Sequence, residues 1–281
     1  MAEPSALGLG IGWRPEIALT IERRRDLGFV EVTAENFAAA AALPAPLERL
    51  RERGVRVVPH GLSLSLGGAE KLDPRRLDAL ATLAQRCAAP LVSEHLAFVR
   101  GGGRESGHLL PVPRTYESLE LVVANVLEAK KALPVPLALE NIASLFEWPD
   151  AELGEAEFLR EVLERADVLL LLDVENVYAN ARNLGFDPLQ FLEKMPLERL
   201  AYVHLAGGIE SAGFYRDTHG HEMPQGVLDL LEELAARVEV PGAMLERDDH
   251  FPPPAVIGSE LDAIAAALAR GRARRLDGAR A

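Results

Sequence analysis

The sequence lacks the features of secreted and membrane-spanning proteins. Cysteine is nearly absent, and because Cys87 is the only one in 281 residues no intrachain disulfide can form. Long apolar runs are missing as well, since no window approaches the roughly 20 apolar residues that span a bilayer. The first thirty residues contain no basic segment followed by an apolar stretch, which is the pattern of a signal peptide. We therefore expect a cytoplasmic protein that does not enter membranes.

Positive charge is also in short supply. Lys and Arg together number 30 against 43 Asp and Glu, which gives a formal net charge of -13 at pH 7. The average field of such a surface repels a polyanion, so we do not expect a nucleic-acid partner. Hydrophobic residues make up 48% of the chain. This fraction is enough to bury a full core and excludes disorder as the main state.

Eight short apolar runs of strand length recur along the sequence. They cover residues 7–12, 29–33, 55–60, 91–95, 136–140, 168–173, 200–205 and 242–246. Between them lie segments with apolar residues at helical spacing, such as Leu119, Val122 and Val126. Near-continuous apolar strands that alternate with amphipathic helices indicate a parallel sheet covered by helices. Eight such units in about 250 residues predict an α/β fold, a closed (β/α)8 TIM barrel.

The barrel is expected to form one domain over residues 1–270, followed by a disordered tail over the Arg-, Gly- and Ala-rich residues 271–281. A doubly wound open sheet is the competing architecture. Its phosphate-binding fingerprint, G-x-G-x-x-G, is absent. Gly8, Gly10 and Gly12 continue to Trp13, Arg14 and Pro15, so the last glycine of the pattern is missing. The barrel is therefore the predicted fold.

Helix starts are marked by proline at three places. Pro15, Pro74 and Pro188 each stand where a first helical residue is expected. Asp73 and Asp187 precede two of these prolines and are predicted N-caps, since their side chains can accept a hydrogen bond from the first helical turn.

Polar side chains end six of the predicted strands or follow them closely. The active site of a barrel is built at the carboxyl ends of its strands, so chemistry is expected at these positions. The nine candidates are His60, His95, Glu140, Asp173, Asn176, His204, Asp217, His219 and Glu246. Imidazoles and carboxylates that converge are typical metal ligands, and mixed N and O donors suit iron, manganese or zinc better than magnesium.

The number of candidates points to more than one ion. A lone strand-end histidine is more often a hydrogen-bonded structural residue, but several buried carboxylates together would repel one another without cations. A mononuclear zinc site needs three or four ligands, so two or three ions bridged by a carboxylate account for the excess better. Glu140 and Glu246 are the candidate bridges, since a carboxylate can bind one ion through each oxygen.

Other polar residues near the strand ends are candidates for substrate binding. Glu31, Glu35 and Asn36 lie at the end of the second strand and are expected to point toward the same mouth. His108 is a candidate for a contact with substrate or with a metal ligand, with a structural role as the equal alternative. A solvated loop is expected for His250. No Ser, Cys or Lys stands beside a base in a recognisable nucleophile elbow, so covalent catalysis is not expected.

Eight sequence blocks resemble, in order, the signatures of the multinuclear non-haem iron-dependent oxidase family, to which the iron oxidase of methanobactin biosynthesis belongs. The blocks are GIGWRP (10–15), HGLSLSLG (60–67), SEHLA (93–97), LLPVP (109–113), LEN (139–141), LDVENVY (172–178), VHLAG (203–207) and DTH (217–219). The resemblance runs from about residue 7 to residue 268, which is nearly the whole chain.

The resemblance implies a xylose-isomerase-like TIM barrel with two or three iron ions of mixed valence on the nine ligands named above. It also implies an oxidase that uses O2 to modify residues, commonly cysteine, of a ribosomally made precursor peptide. One ferrous ion would activate O2 while a ferric neighbour binds the substrate thiolate, and a separate partner protein would present the precursor. The blocks and the final strand also place Asn141, Tyr178 and Asp248 near the ligands, as candidate contacts with substrate or with those ligands.

Three positions depart from the family pattern. Many members have asparagine where this chain has Glu175, aspartate where it has Gly220, and tryptophan where it has Arg247. Glu175 and Arg247 adjoin expected ligands, so the resemblance does not extend to the charge of the pocket or to a particular peptide product.

Two other kinds of function are open at this point. Xylose-isomerase-like sugar isomerases or epimerases and endonuclease-IV-like hydrolases use divalent ions at the same barrel mouth. The acidic net charge argues against a DNA substrate. A sugar isomerase usually has a lysine near its metals, but none of the four lysines ends a strand; they are Lys71, Lys130, Lys131 and Lys194. A catalytically silent scaffold would lack ligands, yet all nine candidates are present.

Overall fold

The computed structural model describes residues 6–37 and 42–278, in which eight parallel strands close into a barrel surrounded by helices. The described residues contain twelve strands in all, of which eight form the barrel: β1 (Gly8–Gly12), β2 (Phe29–Thr33), β3 (Arg56–Gly61), β4 (Val92–His95), β5 (Phe98–Gly101), β6 (Arg104–Leu110), β7 (Leu137–Glu140), β8 (Leu169–Asp173), β9 (Leu200–Leu205), β10 (Ile209–Ser211), β11 (Phe214–Arg216) and β12 (Gly242–Leu245). The order around the barrel is β1-β12-β9-β8-β7-β4-β3-β2. All eight predicted runs are barrel strands, so the predicted (β/α)8 fold is confirmed.

Helices cover the outer face of the barrel. They are α1 (Ala18–Arg23), α2 (Ala45–Glu52), α3 (Pro74–Cys87), α4 (Tyr116–Ala132), α5 (Glu155–Ala166), α6 (Val174–Leu184), α7 (Pro188–Lys194), α8 (Gln225–Arg237) and α9 (Pro254–Gly278), with short 3₁₀ helices at Pro15–Ile17, Ala34–Phe37 and Leu197–Arg199. Asp73 and Asp187 cap α3 and α7 as predicted, since their side chains accept hydrogen bonds from the N–H groups of Arg75 and Leu189.

The core has two layers, which explains why the strands read as continuous apolar runs. Inside the barrel, Phe29, Leu171, Tyr202 and Met244 belong to one buried cluster. The opposite faces of the same strands pack against the helices in a second, larger cluster. A strand such as β8 is therefore buried at all five of its residues.

Two antiparallel hairpins lie outside the barrel sheet, and the apolar pattern did not predict them. The first joins β5 to β6 after barrel strand β4, and the second joins β10 to β11 after barrel strand β9. Both consist mainly of exposed or half-buried residues. They carry no continuous apolar run, because they rise above the barrel core instead of crossing it.

The C-terminal tail differs from the prediction. Helix α9 extends to Gly278, so residues 271–278 are helical instead of disordered, and residues 279–281 lie outside the described part. Gly271 is buried against α8, where a Cβ atom would lie 2.4 Å from the carbonyl oxygen of Glu232 and 2.6 Å from Cβ of Ala235. This packing holds the last turns of α9 on the barrel.

Two further expectations from the sequence concern the core and the membrane. The thiol of Cys87 is buried at the end of α3, as its apolar surroundings in the sequence suggest. Among the described residues, no helix combines the length and the apolar character that crossing a bilayer requires.

Candidate metal centre

The barrel brings the strand-end candidates together. His60, His95, Glu140, Asp173 and His204 lie at the last or next-to-last residues of β3, β4, β7, β8 and β9. Parallel pairing sets His95 beside Glu140 and Asp173 beside His204. Eight of the nine candidates are His, Asp or Glu residues in groups whose ligand atoms all lie within 4.8 Å of one another. The ninth, Asn176, has a buried side-chain oxygen without a hydrogen-bond partner among the described residues. Residues far apart in the chain therefore form one cluster.

The first group consists of His60, His95 and Glu140. The Nε2 atoms of His60 and His95 lie 3.4 and 3.3 Å from the same carboxylate oxygen, Glu140 Oε2. On the other side of the His60 ring, Nδ1 shares a 2.8 Å hydrogen bond with the hydroxyl of Ser93. His95 Nδ1 lies 3.2 Å from the carbonyl oxygen of Gly61. Each ring is thus held from behind and presents Nε2 to the carboxylate, which is how imidazole ligands are oriented.

The second group surrounds His204 with carboxylates. Its Nδ1 lies 3.1 Å from Glu140 Oε1 and 3.0 Å from Glu246 Oε2, and its Nε2 lies 3.0 Å from Glu31 Oε2. The hydroxyl of Tyr202 also donates to Glu31. Glu31 was expected to be a substrate contact, but it is only 3% exposed. Its position in the middle of β2 turns it into the barrel, next to the candidate ligands.

The third group is built from the loop after β11 and the start of α6. His219 Nε2 approaches Asp217 Oδ1 to 2.6 Å and Glu175 Oε2 to 3.7 Å, and His219 Nδ1 lies 3.5 Å from Glu246 Oε2. Asp173 joins His219 and Glu246 in an overlapping group. Because Glu246 and Asp173 are shared between groups, the three groups form one continuous centre.

Many polar atoms of this centre face each other without hydrogen-bond partners. Within the described residues, the buried unpaired atoms at the centre are Glu140 Oε2, Asp173 Oδ2, Glu175 Oε2, Asn176 Oδ1, Asp217 Oδ1 and His219 Nε2. Leaving such atoms unpaired is costly, and so many in one place call for a ligand that they share. Imidazole nitrogens and carboxylate oxygens suit iron, manganese or zinc. The donor set therefore fits a multinuclear metal centre.

The electrostatics lead to the same conclusion. Burial raises the pKa of Asp173 well above its usual value, and the charges of Glu140 and Asp217 add to that rise. Burial likewise raises the pKa of Glu175 to about 10, with Asp217 as the next contributor. Burial acts in the same direction on Glu140, but the positive charges of His95 and His204 outweigh it and lower the pKa of Glu140 to about 2. Buried carboxylates this close together are unfavourable when all are ionised without compensation. Either protons or bound cations can neutralise them, and metal ions can replace the protons.

Two further candidates contact the ligands, and a third lines the pocket that opens onto them. Asn141 is buried between β7 and β8, where its side chain donates 3.0 Å to the carbonyl oxygen of Asp173 and accepts 2.9 Å from the N–H of Asp173. It therefore positions a candidate ligand. Asp248 lies 3.2 Å from His219 Nδ1 and accepts a hydrogen bond from Arg14. His108 is exposed on β6 and lines the pocket described below.

The remaining candidates lie away from the centre. Glu35 and Asn36 are exposed, and Glu35 accepts a hydrogen bond from the N–H of Leu62. Tyr178 packs its ring edge-on against Tyr215, and its hydroxyl accepts a hydrogen bond from Arg182. None of these three is among the residues that line the pocket in the described part of the chain.

A pocket of about 870 Å³ opens onto the centre. His95, Glu140, Asn176, Asp217 and His219 line it, so a molecule in the pocket can reach several candidate ligands. The rest of its lining is mostly apolar and comes from the first hairpin and the loop after β7; it includes Val99, Leu109, Leu110, Leu145 and Phe146. Leu62 and Ser63, which follow β3, and Tyr215 and Arg216 of the second hairpin also line it.

Reasoning from the sequence named one carboxylate only as a substrate contact, missed a second as a ligand and misplaced one charge. Glu31 and Glu175 both belong to the ligand groups, and the only signal for Glu175 was its place beside Asn176. Arg247 was expected to alter the pocket charge. Instead its Nη2 donates to both carboxylate oxygens of Glu260 on α9, each at 2.6 Å, and the pair is buried. It ties the end of β12 to the outer helix.

Comparison with known proteins gives matches over nearly the whole chain. A model of the family described as RiPP precursor modification enzyme MbnB/TglH/ChrH matches residues 8–269; RiPP denotes a ribosomally synthesised and post-translationally modified peptide. A UPF0276 protein of Streptomyces avermitilis is 51% identical over 275 residues, which cover 95% of this chain and 56% of that protein. The chain thus spans little more than half the length of that relative.

Other similar proteins match over most of their own length. A UPF0276 protein of an Anaeromyxobacter species is 41% identical over 249 residues, which cover 88% of either chain. Among solved structures, D-psicose 3-epimerase from Clostridium cellulolyticum superposes with a TM-score of 0.58 at 12% sequence identity, over 95% of this chain and 99% of that one. At such low identity, the structural likeness bears on the fold alone.

Proposed function

This chain belongs to the MbnB/TglH/ChrH family of RiPP precursor modification enzymes, and from that premise we propose that it is a multinuclear iron enzyme that uses O2 to oxidise a precursor peptide. Cysteine is the proposed target residue. The observation that carries the proposal is the cluster of buried acids and imidazoles in which six facing atoms have no hydrogen-bond partner within the described residues.

The proposed ligands are the nine strand-end candidates. His60, His95 and Glu140 would hold one ion, and Glu140 would be shared with a second position that includes Asp173 and His204. Iron in this donor set supplies O2 activation and a Lewis-acid position for a substrate thiolate. Two or three ions of mixed valence are proposed, since the donor atoms exceed what one ion can use.

Neighbouring groups of the chain hold the metal-binding side chains in place. The hydroxyl of Ser93 holds Nδ1 of His60, and the carbonyl oxygen of Gly61 lies against Nδ1 of His95, so both rings are fixed before anything binds. Asn141 fixes the backbone of Asp173 through two hydrogen bonds. A prearranged donor set loses little conformational freedom on binding, which favours affinity.

The pocket supports a peptide substrate. Its volume of about 870 Å³ is at the upper end of the range for small-molecule sites. Its apolar lining would cover the side chains that flank the modified residue and would keep water from the reacting atoms. Leu145 and Phe146 at its edge are 47% and 44% exposed, so they are available to contact a peptide. A separate partner protein that presents the precursor is part of this proposal.

A sugar isomerase or epimerase is the second candidate, since the fold is shared with D-psicose 3-epimerase. The residues known to line the pocket include no lysine, and the pocket wall is mainly apolar. A polyhydroxylated sugar is better matched by hydrogen-bonding side chains, so the peptide oxidase is favoured.

The test is anaerobic reconstitution with ferrous iron, followed by elemental analysis and by measurement of O2 uptake with cysteine-containing precursor peptides encoded beside the gene. We expect two or three irons per chain and O2 uptake only when the peptide is present. His95→Ala should lose iron without unfolding, because it removes one donor from the mouth of a barrel whose core is untouched.

The matched control is His250→Ala, since the His250 side chain is 72% exposed in a loop. It should keep its iron and its O2 uptake. Full iron content in His95→Ala would overturn the ligand assignment. Interconversion of ketoses by the loaded protein, without O2 uptake on any peptide, would favour the sugar enzyme instead.

A further inference from the structure

Glu175 is placed for a role that the family pattern does not supply. It is the second residue of α6, between the helix cap Asp173 and the candidate ligand Asn176, and its side chain is fully buried. One carboxylate oxygen, Oε1, accepts a 3.0 Å hydrogen bond from the hydroxyl of Tyr215. The other, Oε2, has no hydrogen-bond partner in the described part of the chain. The two oxygens therefore face two different surroundings.

The unpaired oxygen faces the candidate ligands Asp217 and His219. Ligand atoms of these three residues all lie within 4.8 Å of one another. Asp217 Oδ1 and His219 Nε2 are only 2.6 Å apart, and like Glu175 Oε2 they have no partner in hydrogen-bond geometry among the described residues. Three buried donor atoms that face each other without hydrogen bonds match the arrangement around a shared cation.

The paired oxygen faces the second hairpin, β10–β11. The Tyr215 hydroxyl that donates to Glu175 also accepts a 2.7 Å hydrogen bond from the N–H of Gly208, at the start of this hairpin. A Cβ atom at position 208 would lie 2.8 Å from Glu175 Oε1, so a glycine is needed for this close approach. The backbone of Tyr215 is further held by the Asn183 side chain, through two hydrogen bonds of 2.8 Å. The hairpin is thus fastened to α6 at Tyr215.

The same hairpin forms part of the pocket wall. Tyr215 and Arg216 line the pocket together with Asp217 and His219. Apart from Tyr215, the residues of β10 and β11 are exposed, so the hairpin has little core of its own. The buried tie that holds it to α6 is the anchor at Tyr215, whereas the Arg182–Glu210 ion pair between the same two elements is exposed.

We propose that Glu175 binds a metal ion together with Asp217 and His219 through Oε2, and that through Oε1 and Tyr215 this ion fixes the hairpin that walls the substrate pocket. The inference rests on the metal centre of the proposed function, but not on iron, on O2 or on a peptide. Glu175 is a ligand and Tyr215 is a positioning residue. Because coupling between two sites is reciprocal, anything that loosens the hairpin must also lower the affinity of the site for the ion.

The test uses Mn²⁺ alone, added anaerobically to metal-free protein, with two readouts. Elemental analysis gives the number of tightly bound ions per chain, and hydrogen exchange reports the protection of residues 209–216. In the unaltered protein we expect Mn²⁺ to slow exchange in this segment. Glu175→Gln should bind one ion fewer and lose the Mn²⁺-dependent protection, because the amide keeps the size of the side chain and loses its charge.

Tyr215→Phe separates the two halves of the proposal. It should keep the full number of ions at saturation, bind one of them about 10- to 100-fold more weakly, and lose the Mn²⁺-dependent protection. The matched control is Ser211→Ala, on the same hairpin and exposed, which leaves the Tyr215 anchor and the Arg182–Glu210 ion pair intact. This variant should behave like the unaltered protein in both readouts.

Each half can be overturned separately. An unchanged ion count and affinity in Glu175→Gln would refute the ligand role, and Mn²⁺-dependent protection that persists in Tyr215→Phe would refute the link to the hairpin. If Glu175→Gln does not fold, Glu175→Asn provides the same comparison with a shorter side chain. Failure of the unaltered protein to bind any metal ion would refute the proposed function itself. That result differs from an unaltered protein that binds metal and a Glu175→Gln variant that binds the same number of ions.

Discussion

Replacement of Glu140 by glutamine tests whether one carboxylate serves two metal positions. Glu140 Oε2 faces the Nε2 atoms of His60 and His95, at 3.4 and 3.3 Å, while Oε1 faces His204 Nδ1 at 3.1 Å. The two oxygens therefore belong to different ligand groups. Glutamine has nearly the same volume, so the barrel core is preserved, but its amide offers only one oxygen and no negative charge.

The expected effect follows from this sharing. Glu140→Gln should lose two ions per chain, whereas His60→Ala, which touches one group only, should lose one. An ion held at a concentration of 100 times its Kd stabilises the folded state by about 2.7 kcal/mol. For a chain of this size, that corresponds to roughly 5–10 °C in Tm for each ion. The metal-dependent rise in Tm should therefore shrink by roughly 10–20 °C in Glu140→Gln and by half as much in His60→Ala.

The assay combines elemental analysis after anaerobic metal loading with thermal unfolding in the presence and absence of metal. Glu105→Gln is the control, since Glu105 lines the same pocket but pairs with Arg76 and belongs to no ligand group among the described residues. It should retain the full ion count and the full rise in Tm. Loss of the same single ion in Glu140→Gln and in His60→Ala would refute the reasoning that Glu140 is shared.

Two further predictions concern the protein without metal. Its stability should fall as the pH rises from about 5 to 9. Burial lowers the pKa of His95, but Glu140, Glu94 and Glu246 together outweigh it and raise the pKa to about 9. The stabilisation by His95 is therefore complete below its ordinary pKa of 6.5 and is lost toward pH 9. Burial raises the pKa of Glu175 to about 10, so the stabilisation by its protonated form is also lost as the pH rises above its ordinary pKa of 4.5. Urea unfolding in the presence of a chelator that shows stability rising between pH 5 and 9 would contradict the prediction. Glu260→Ala should cost about 3–5 kcal/mol in urea unfolding, because it leaves Arg247 buried without its partner, and a cost no larger than that of Glu260→Gln would count against this account.

The strands and most of the candidate centre could be predicted from the sequence because both depend on patterns along the chain. A parallel barrel buries both faces of its strands, so each strand is a short apolar run whatever its neighbours are. The carboxyl ends of such strands meet at one mouth, so His60, His95 and Glu140 could be grouped before any contact was known. The N-caps Asp73 and Asp187 were equally local, since each contacts the helix that follows it directly.

Only the tertiary structure decided which way individual side chains point and what they meet. Glu31 faces into the barrel because successive strand residues point to opposite faces, and the strand register alone determines that it meets His204. Arg247 turns to Glu260 on an outer helix, and Glu175 reaches Tyr215 on a hairpin with no apolar run of its own. These contacts join residues that are distant in sequence, and their partners are selected by the packing of the closed barrel, which no local pattern records.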